Sequence, residues 1–269
     1  MTSPLQQNNI LNIAAYHFVA IEDTVALQTT LQEATSRLAL RGTILIALEG
    51  INLFLAGDEV AIESFAALLT ADIRFAKLEI KRSWSTAQPF KKMLVKIKPE
   101  IIRMNHPTIK PSFDPHQPQR APAVDAKTLK RWLDKGFDDA GKPVVTLDTR
   151  NAFEVDYGTF EGAVDWRIDK FSDFPAAFEQ HKTELEGKTV VSFCTGGIRC
   201  EKAAIYMREA GLTDVYQLDG GILKYFEETH SDDTSNHYSG TCFVFDEREA
   251  LRSDLAPKDF GAASRFIKH

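Results

Sequence analysis

Cysteine is scarce in this chain, with three residues at positions 194, 200 and 242. They form no paired C-x-x-C, so neither a disulfide framework nor a zinc ribbon is expected, and a reducing, cytoplasmic setting fits. No run of about 18 apolar residues occurs, so no membrane span is expected. Residues 1–9 are polar and lack a basic segment followed by an apolar one, so no secretory leader is expected. The seven histidines show no metal-ligand spacing. No iron facial triad or flavin motif is found either, so no metal and no organic cofactor are expected. Positive charge is in deficit. The net charge of −6 argues against indiscriminate binding of nucleic acid, but not against a local basic surface.

The 269 residues suffice for one large domain or two modest ones. Proline and polar residues crowd 104–122, with little apolar periodicity, and this stretch reads as a linker. The boundaries that follow are a first domain at 1–110, a linker at 111–122, a second domain at 123–231 and an extension at 232–269. In the first domain, strand-like runs fall at 10–19, 43–48, 51–55, 75–80 and 93–97, with helical spacing at 24–40 and 58–70. Asp23 is the expected N-cap of the first helix. The order β-α-β-β-α-β with one extra strand is the ferredoxin-like (acylphosphatase-like) α+β pattern. This half has no cysteine, no Ser-His-Asp set and no glycine-rich phosphate loop, so a binding or positioning role is expected.

Beyond the linker, short strands at 144–147, 189–193 and 215–218 alternate with helices at 125–135 and 201–210. That alternation makes an α/β domain with a parallel sheet flanked by helices. Reactive groups in such sheets sit at the carboxyl ends of strands, where Asp148 and Cys194 fall. Cys194 opens the loop Thr195-Gly196-Gly197-Ile198, followed by Arg199 and Cys200. Two glycines let the backbone turn its N–H groups inward as an anion cradle at a helix N-terminus. That field is expected to favour the Cys194 thiolate, with Arg199 adding a permanent charge that can fork onto an oxyanion.

These elements resemble the rhodanese family over about 123–228. Besides the cysteine loop, Leu147-Asp148-Thr149-Arg150 with Glu154 is similar to its Asp-x-Arg strand end. Gly158-Thr159-Phe160-Glu161-Gly162-Ala163 and Leu218-Asp219-Gly220-Gly221 match two further elements, although Thr159 and Phe160 depart from the family pattern. Four residues separate Cys194 from Arg199, where related cysteine phosphatases have five. The tighter loop favours sulfur chemistry over phosphate.

The whole chain is similar to a narrower group, the tRNA uridine hydroxylase (TrhO) family. The matching strings include Glu49-Gly50-Ile51-Asn52, Pro89-Phe90-Lys91-Lys92-Met93-Leu94-Val95-Lys96, Phe171-Ser172-Asp173-Phe174-Pro175, Cys194 to Lys202, and Gly240-Thr241-Cys242-Phe243-Val244-Phe245-Asp246-Glu247-Arg248. This resemblance implies a cytoplasmic enzyme that hydroxylates the wobble uridine of tRNA at C5. Molecular oxygen would be the co-substrate, the anticodon region of tRNA the partner, and Cys194 the essential thiol. No obligate protein partner is implied. A thiosulfate or persulfide sulfurtransferase, and a non-catalytic sulfur or redox carrier, remain as alternatives. Some relatives carry further cysteines beyond this point. The sequence given ends at His269 without them, so no metal site is expected there.

Other candidates keep two readings each. Cys200 is either a resolving thiol for oxidised Cys194 or a small residue packed in the first helical turn. Asp148 and Arg150 either line the pocket or form an internal ion pair with each other and Glu154. Trp84, Phe90, Lys91, Lys92 and Lys96 lie in a lysine-rich stretch opposed only by Glu79 and Glu100. They are either a stacking-and-phosphate surface for RNA or a half-buried strand with basic edges. His106 is read as a linker residue and Cys242 as packing.

Overall fold

The computed structural model describes residues 10–114, 116, 119–230 and 236–260. The polar start at 1–9, residues 115, 117 and 118 of the linker reading, and 231–235 and 261–269 of the last two segments lie outside the described residues. The chain falls into two units, Met1–Ile101 with Ser112–Asp114, and Ile102–Pro111 with Pro115–His269.

The first unit runs β1 (Ile10–Phe18), α1 (Thr24–Arg37), β2 (Arg41–Ala47), β3 (Gly50–Gly57), α2 (Glu59–Ala71), β4 (Lys81–Ser85) and β5 (Met93–Ile97). Its single sheet has the order β4-β1-β3-β2-β5. All pairs are antiparallel except β2 with β5, which is the extra strand of the ferredoxin-like pattern. Alternate residues of the strands, Leu11, Ile13 and Ala15 with Leu53 and Leu55, bury against Leu27, Leu31, Phe65 and Leu69 of the helices. That burial holds α1 in place. Asp23 stands at its N-cap position but makes no side-chain cap bond; its carboxylate pairs with Arg74 instead. A cap adds about 1 kcal/mol, whereas each fully buried Leu adds roughly 1.5–3 kcal/mol.

The strand expected at 75–80 is not there. Asp72 caps a short 3₁₀ turn at Ile73–Phe75, and the strand forms six residues later at Lys81–Ser85. Phe75 and Leu78 plug the core from the irregular segment between them, which is why this run looks apolar.

The second unit runs β6 (Ala123–Val124), α3 (Ala126–Lys135), β7 (Val144–Asp148), α4 (Ala152–Val155), β8 (Gly158–Phe160), α5 (Phe174–His181), β9 (Thr189–Phe193), α6 (Ile198–Glu209), β10 (Val215–Leu218) and α7 (Gly221–Thr229). Strands β6-β10-β9-β7 form a parallel sheet. Val190 of β9 packs in a cluster with Phe174, Phe178, Ala203 and Met207 from α5 and α6. Val191 and Phe193 pack in another with Leu129, Trp132, Ile222 and Phe226 from α3 and α7. A strand buried on both faces reads as a continuous apolar run, and its carboxyl end delivers residue 194.

The stretch read as a linker supplies core residues. Met104, Ile109 and Ala121 are buried in the cluster with α5 and α6, and Phe113 packs on Tyr16, His17 and Phe18 in the first unit. These apolar residues are spaced irregularly among prolines, so no periodicity marks them.

The extension adds β11 (Tyr238–Gly240), which pairs with β8, and β12 (Cys242–Phe243), which pairs with β13 (Ala250–Leu251). No helix among the described residues is long and apolar enough to cross a membrane.

Candidate active site

Strand β9 ends at Phe193 and the chain turns at once. Gly197, at φ +98, is the N-cap of α6, so the helix begins at Ile198 rather than at 201, and Arg199 and Cys200 sit in its first turn. The loop carbonyls are turned away from the sulfur. Ile222 N donates to Cys194 O (3.0 Å) and Leu223 N to Thr195 O (3.1 Å), so the free amides at the start of α7 hold the loop. This docking needs glycine at 221. Its φ is +68, and an added Cβ would overlap the Cys194 carbonyl oxygen and stand 2.7 Å from Gly197 N.

With its carbonyls engaged, the loop presents amides to the thiol: Gly197 N donates to Cys194 Sγ at 3.1 Å. Cys194 is fully buried. Burial alone pushes its thiol up. The Cys200 S–H, the Arg199 guanidinium and the Arg199 and Gly197 amides outweigh burial and bring it down to about 5. This setting favours the Cys194 thiolate. Cys200 moves the opposite way, raised by burial and by the Cys194 charge. Its sulfur lies 3.8 Å from Thr149 Oγ1, and that hydroxyl donates to Phe193 O at 2.9 Å. Cys242 is also buried, and burial pushes it up to about 12.

Arg199 is held by a partner 45 residues upstream. Its Nη1 and Nη2 donate to Glu154 Oε2 and Oε1 at 2.6 and 2.7 Å. Glu154 Oε2 also accepts Asn151 N at 3.1 Å. The Arg199 fork, expected to hold an oxyanion, is thus occupied. The carboxylate keeps the buried guanidinium firmly charged against the cost of desolvation. Arg199 Nε is buried with no hydrogen-bond partner among the described residues, which leaves one donor for a bound oxygen atom.

Asp148 and Arg150 form their own pair, both fully buried, with Arg150 Nη2 2.6 Å from Asp148 Oδ2. Arg150 Nη2 also donates to Gly158 O (2.6 Å), and Thr159 Oγ1 donates to Asp148 Oδ2 (2.8 Å). Between the two readings of these residues, the geometry is that of an internal ion pair tying the end of β7 to β8, with Glu154 facing Arg199 instead. Two further residues of α6 act as anchors: Glu201 accepts from Arg120 and Gln217, and Lys202 donates to Ile102 O.

Beside the loop lie aromatic residues that the sequence reading passed over. Thr195 Oγ1 donates to Phe243 O (3.4 Å). The Phe243 ring meets Phe153 (5.2 Å), Phe245 (5.0 Å) and Tyr157 (5.2 Å). Phe243 is buried, but Phe153 and Phe245 are 42% and 52% exposed. No alternation marks them in the sequence, since Phe243 and Val244 are both buried and Phe245 is exposed.

The candidate RNA residues lie in the first unit and are not all brought together. Trp84 is in β4 and Lys96 in β5, the two opposite edges of the sheet. Phe90, half-buried, and Lys91 and Lys92, both exposed, lie just ahead of β5. The basic surface therefore runs along the β5 edge, without Trp84. Among the described residues no group of three or more His, Cys, Asp or Glu could hold a metal ion.

A family model described as a UPF0176 acylphosphatase like domain matches residues 10–101, and one described as a rhodanese-like domain matches residues 125–228. A tRNA uridine(34) hydroxylase of Variovorax paradoxus (strain S110) is 60% identical over 256 residues, covering 95% of this chain and 94% of that protein. One from Bordetella avium (strain 197N) is 61% identical over 249 residues, covering 93% and 99%. A third, from Delftia acidovorans (strain DSM 14801 / SPH-1), is 59% identical over 249 residues, covering 93% and 91%.

Proposed function

The chain belongs to the tRNA uridine(34) hydroxylase family, and on that premise we propose that Cys194 is the essential thiol of a tRNA wobble-uridine 5-hydroxylase that uses molecular oxygen as co-substrate. The observation that carries this reading is a buried cysteine just ahead of a helix, with Gly197 N on its sulfur and Arg199 clamped by Glu154. A thiolate is the strong nucleophile such a site offers. Uracil is electron-poor at C6. A thiolate that adds there makes C5 enolate-like and able to take up oxygen, and the free Arg199 Nε–H is suited to the charge that develops on the ring oxygen. The wobble base is already unpaired, so presenting it costs less than opening a duplex.

Two surfaces support contact with the anticodon region. The exposed faces of Phe153 and Phe245, beside the cysteine loop, suit stacking of an unpaired base. In the first unit, Lys91, Lys92 and Lys96 along the β5 edge suit phosphates. The reaction on tRNA agrees with a cytoplasmic enzyme. Sulfur transfer and passive sulfur or redox carriage are not favoured, since relatives at 59–61% identity are named hydroxylases.

The test is nucleoside mass spectrometry of tRNA from cells lacking the gene, complemented with wild type or Cys194→Ala. We expect 5-hydroxyuridine derivatives to return only with wild type. Equal restoration by both would end the assignment of Cys194.

A further inference from the structure

Beyond helping to lower the Cys194 thiol, Cys200 has no part in the reading above. It is fully buried, in the first turn of α6. Its amide donates to Gly197 O at 3.1 Å, and the amide of that same glycine donates to Cys194 Sγ at 3.1 Å. On the other side its sulfur is 3.8 Å from Thr149 Oγ1, whose hydroxyl is committed to the carbonyl of Phe193, the residue before Cys194. The two buried thiols thus flank the same Gly197 turn at the end of β9. The opposite shifts of the two groups agree with an S–H on Cys200 directed at the Cys194 sulfur. Packing alone does not require sulfur at this position; serine or alanine would fill the turn.

Resting on the hydroxylase reading, we propose that Cys194 and Cys200 together form the dithiol that supplies the two electrons of the oxygenation. Placing one atom of O₂ on C5 leaves a second atom that must depart as water, and that reduction consumes two electrons. The sum is uridine C5–H plus O₂ plus two thiols, giving C5–OH, one disulfide and one water. The Cys194 thiolate adds to C6, and the electron pair displaced to C5 forms a C–O bond with oxygen, giving a C5 hydroperoxide once a proton arrives. The Cys200 sulfur attacks the distal oxygen of that hydroperoxide. The O–O bond breaks, the C5 alcohol remains, and Cys200 becomes a sulfenic acid. Loss of the C5 proton expels Cys194 from C6 and restores the ring double bond. The released Cys194 sulfur then attacks the Cys200 sulfenic acid, forming the S–S bond and releasing hydroxide, which is protonated to water. Each sulfur ends one electron more oxidised, and an external thiol reopens the disulfide for the next turnover.

The experiment uses the full-length protein, reduced without oxygen, freed of reductant, then given unmodified tRNA and oxygen. We expect about one 5-hydroxyuridine per chain and then arrest, with turnover resuming on addition of dithiothreitol. Trypsin cuts after Lys188, Arg199 and Lys202, so the arrested protein should yield peptides 189–199 and 200–202 joined by a disulfide. Cys200→Ser should lose this burst, and its folding is checked by a urea-unfolding midpoint equal to that of the wild-type protein without tRNA. Many products per chain without reductant, or product with both thiols still free, would overturn the proposal while leaving the hydroxylase reading intact. Full product from Cys194→Ala, or none from wild type under these conditions, would overturn both.

Discussion

Glu154 and Arg199, 45 residues apart in the chain, meet in a two-pronged ion pair with both oxygens and both terminal nitrogens engaged. Glu154 is fully buried and the Arg199 side chain is 7% exposed. The pair therefore sits in a medium where an unmatched charge is costly, and it fixes the plane of the guanidinium beside Cys194.

Removing one member should cost more than the pair itself contributes. Glu154→Ala leaves Arg199 buried without its counter-charge, an effect of about 3–5 kcal/mol. Urea denaturation should show that loss, together with weaker hydroxylation even at temperatures where the variant is folded. A midpoint equal to wild type would mean that Arg199 finds another partner.

The Cys194 thiol at about 5 lies below the value of about 8.5 that an unfolded chain gives. Between these values the folded protein binds fewer protons than the unfolded one. The thiolate's contribution to stability is fully present above about pH 8.5 and is lost as pH falls through about 5. An ultraviolet titration of the thiolate should show a midpoint near 5 in wild type, moved upward in Arg199→Ala. A wild-type midpoint above neutrality would contradict the geometry described for the loop.

Gly221→Ala places a methyl group against the carbonyls of Cys194 and Thr195 at a backbone angle that alanine adopts poorly. We expect lost hydroxylation and a rise in the thiol midpoint, because the loop must shift to make room. Gly187→Ala also has a positive φ, +74, but nothing within 4 Å, and serves as the control for strain alone.

Phe245→Ala removes an exposed ring beside the cysteine loop. Base stacking is worth roughly 1–3 kcal/mol, so tRNA affinity should fall by about 5- to 150-fold, with Phe245→Trp restoring it. The loss should vanish on an anticodon stem-loop lacking base 34; an equal loss on that ligand would assign Phe245 to another contact.

Replacing Lys92 and Lys96 together by Ala should weaken tRNA binding about equally for all tRNAs and flatten its salt dependence. Each lost contact to a single-stranded phosphate lowers the slope of log K on log salt by about 0.7. An unchanged slope would move the phosphate track off the β5 edge.

The cysteine loop was legible because its signals are local: strand, cysteine, two glycines, arginine and helix lie within the 21 residues Thr189–Glu209. The ferredoxin-like order was legible because strand alternation and helical spacing differ in period. The partner of Arg199 was not, since two acids, Asp148 and Glu154, were available upstream and only the fold decides between them. Strand β4 was missed because Lys-Arg-Ser-Trp-Ser carries no apolar alternation, while the nearby Phe75 and Leu78 mimic a strand from an irregular segment. Met104 and Ile109 escaped for the converse reason, as core residues set among prolines without a period. The aromatic rim was hidden in a run whose buried and exposed members differ only in tertiary setting.

The docking of loop carbonyls onto residues 222 and 223 bears on when the enzyme becomes reactive during its own synthesis. A nascent chain that has exposed only Cys194 carries an ordinary thiol, because its amides, Arg199 and the α7 amides are not yet assembled around it. The low-pKa state requires segments near 154, 194 and 222 to close together, contacts that span nearly 70 residues and form only as the domain completes. The depressed thiol therefore arises only as the domain closes, so that ionisation of Cys194 itself reports the end of folding.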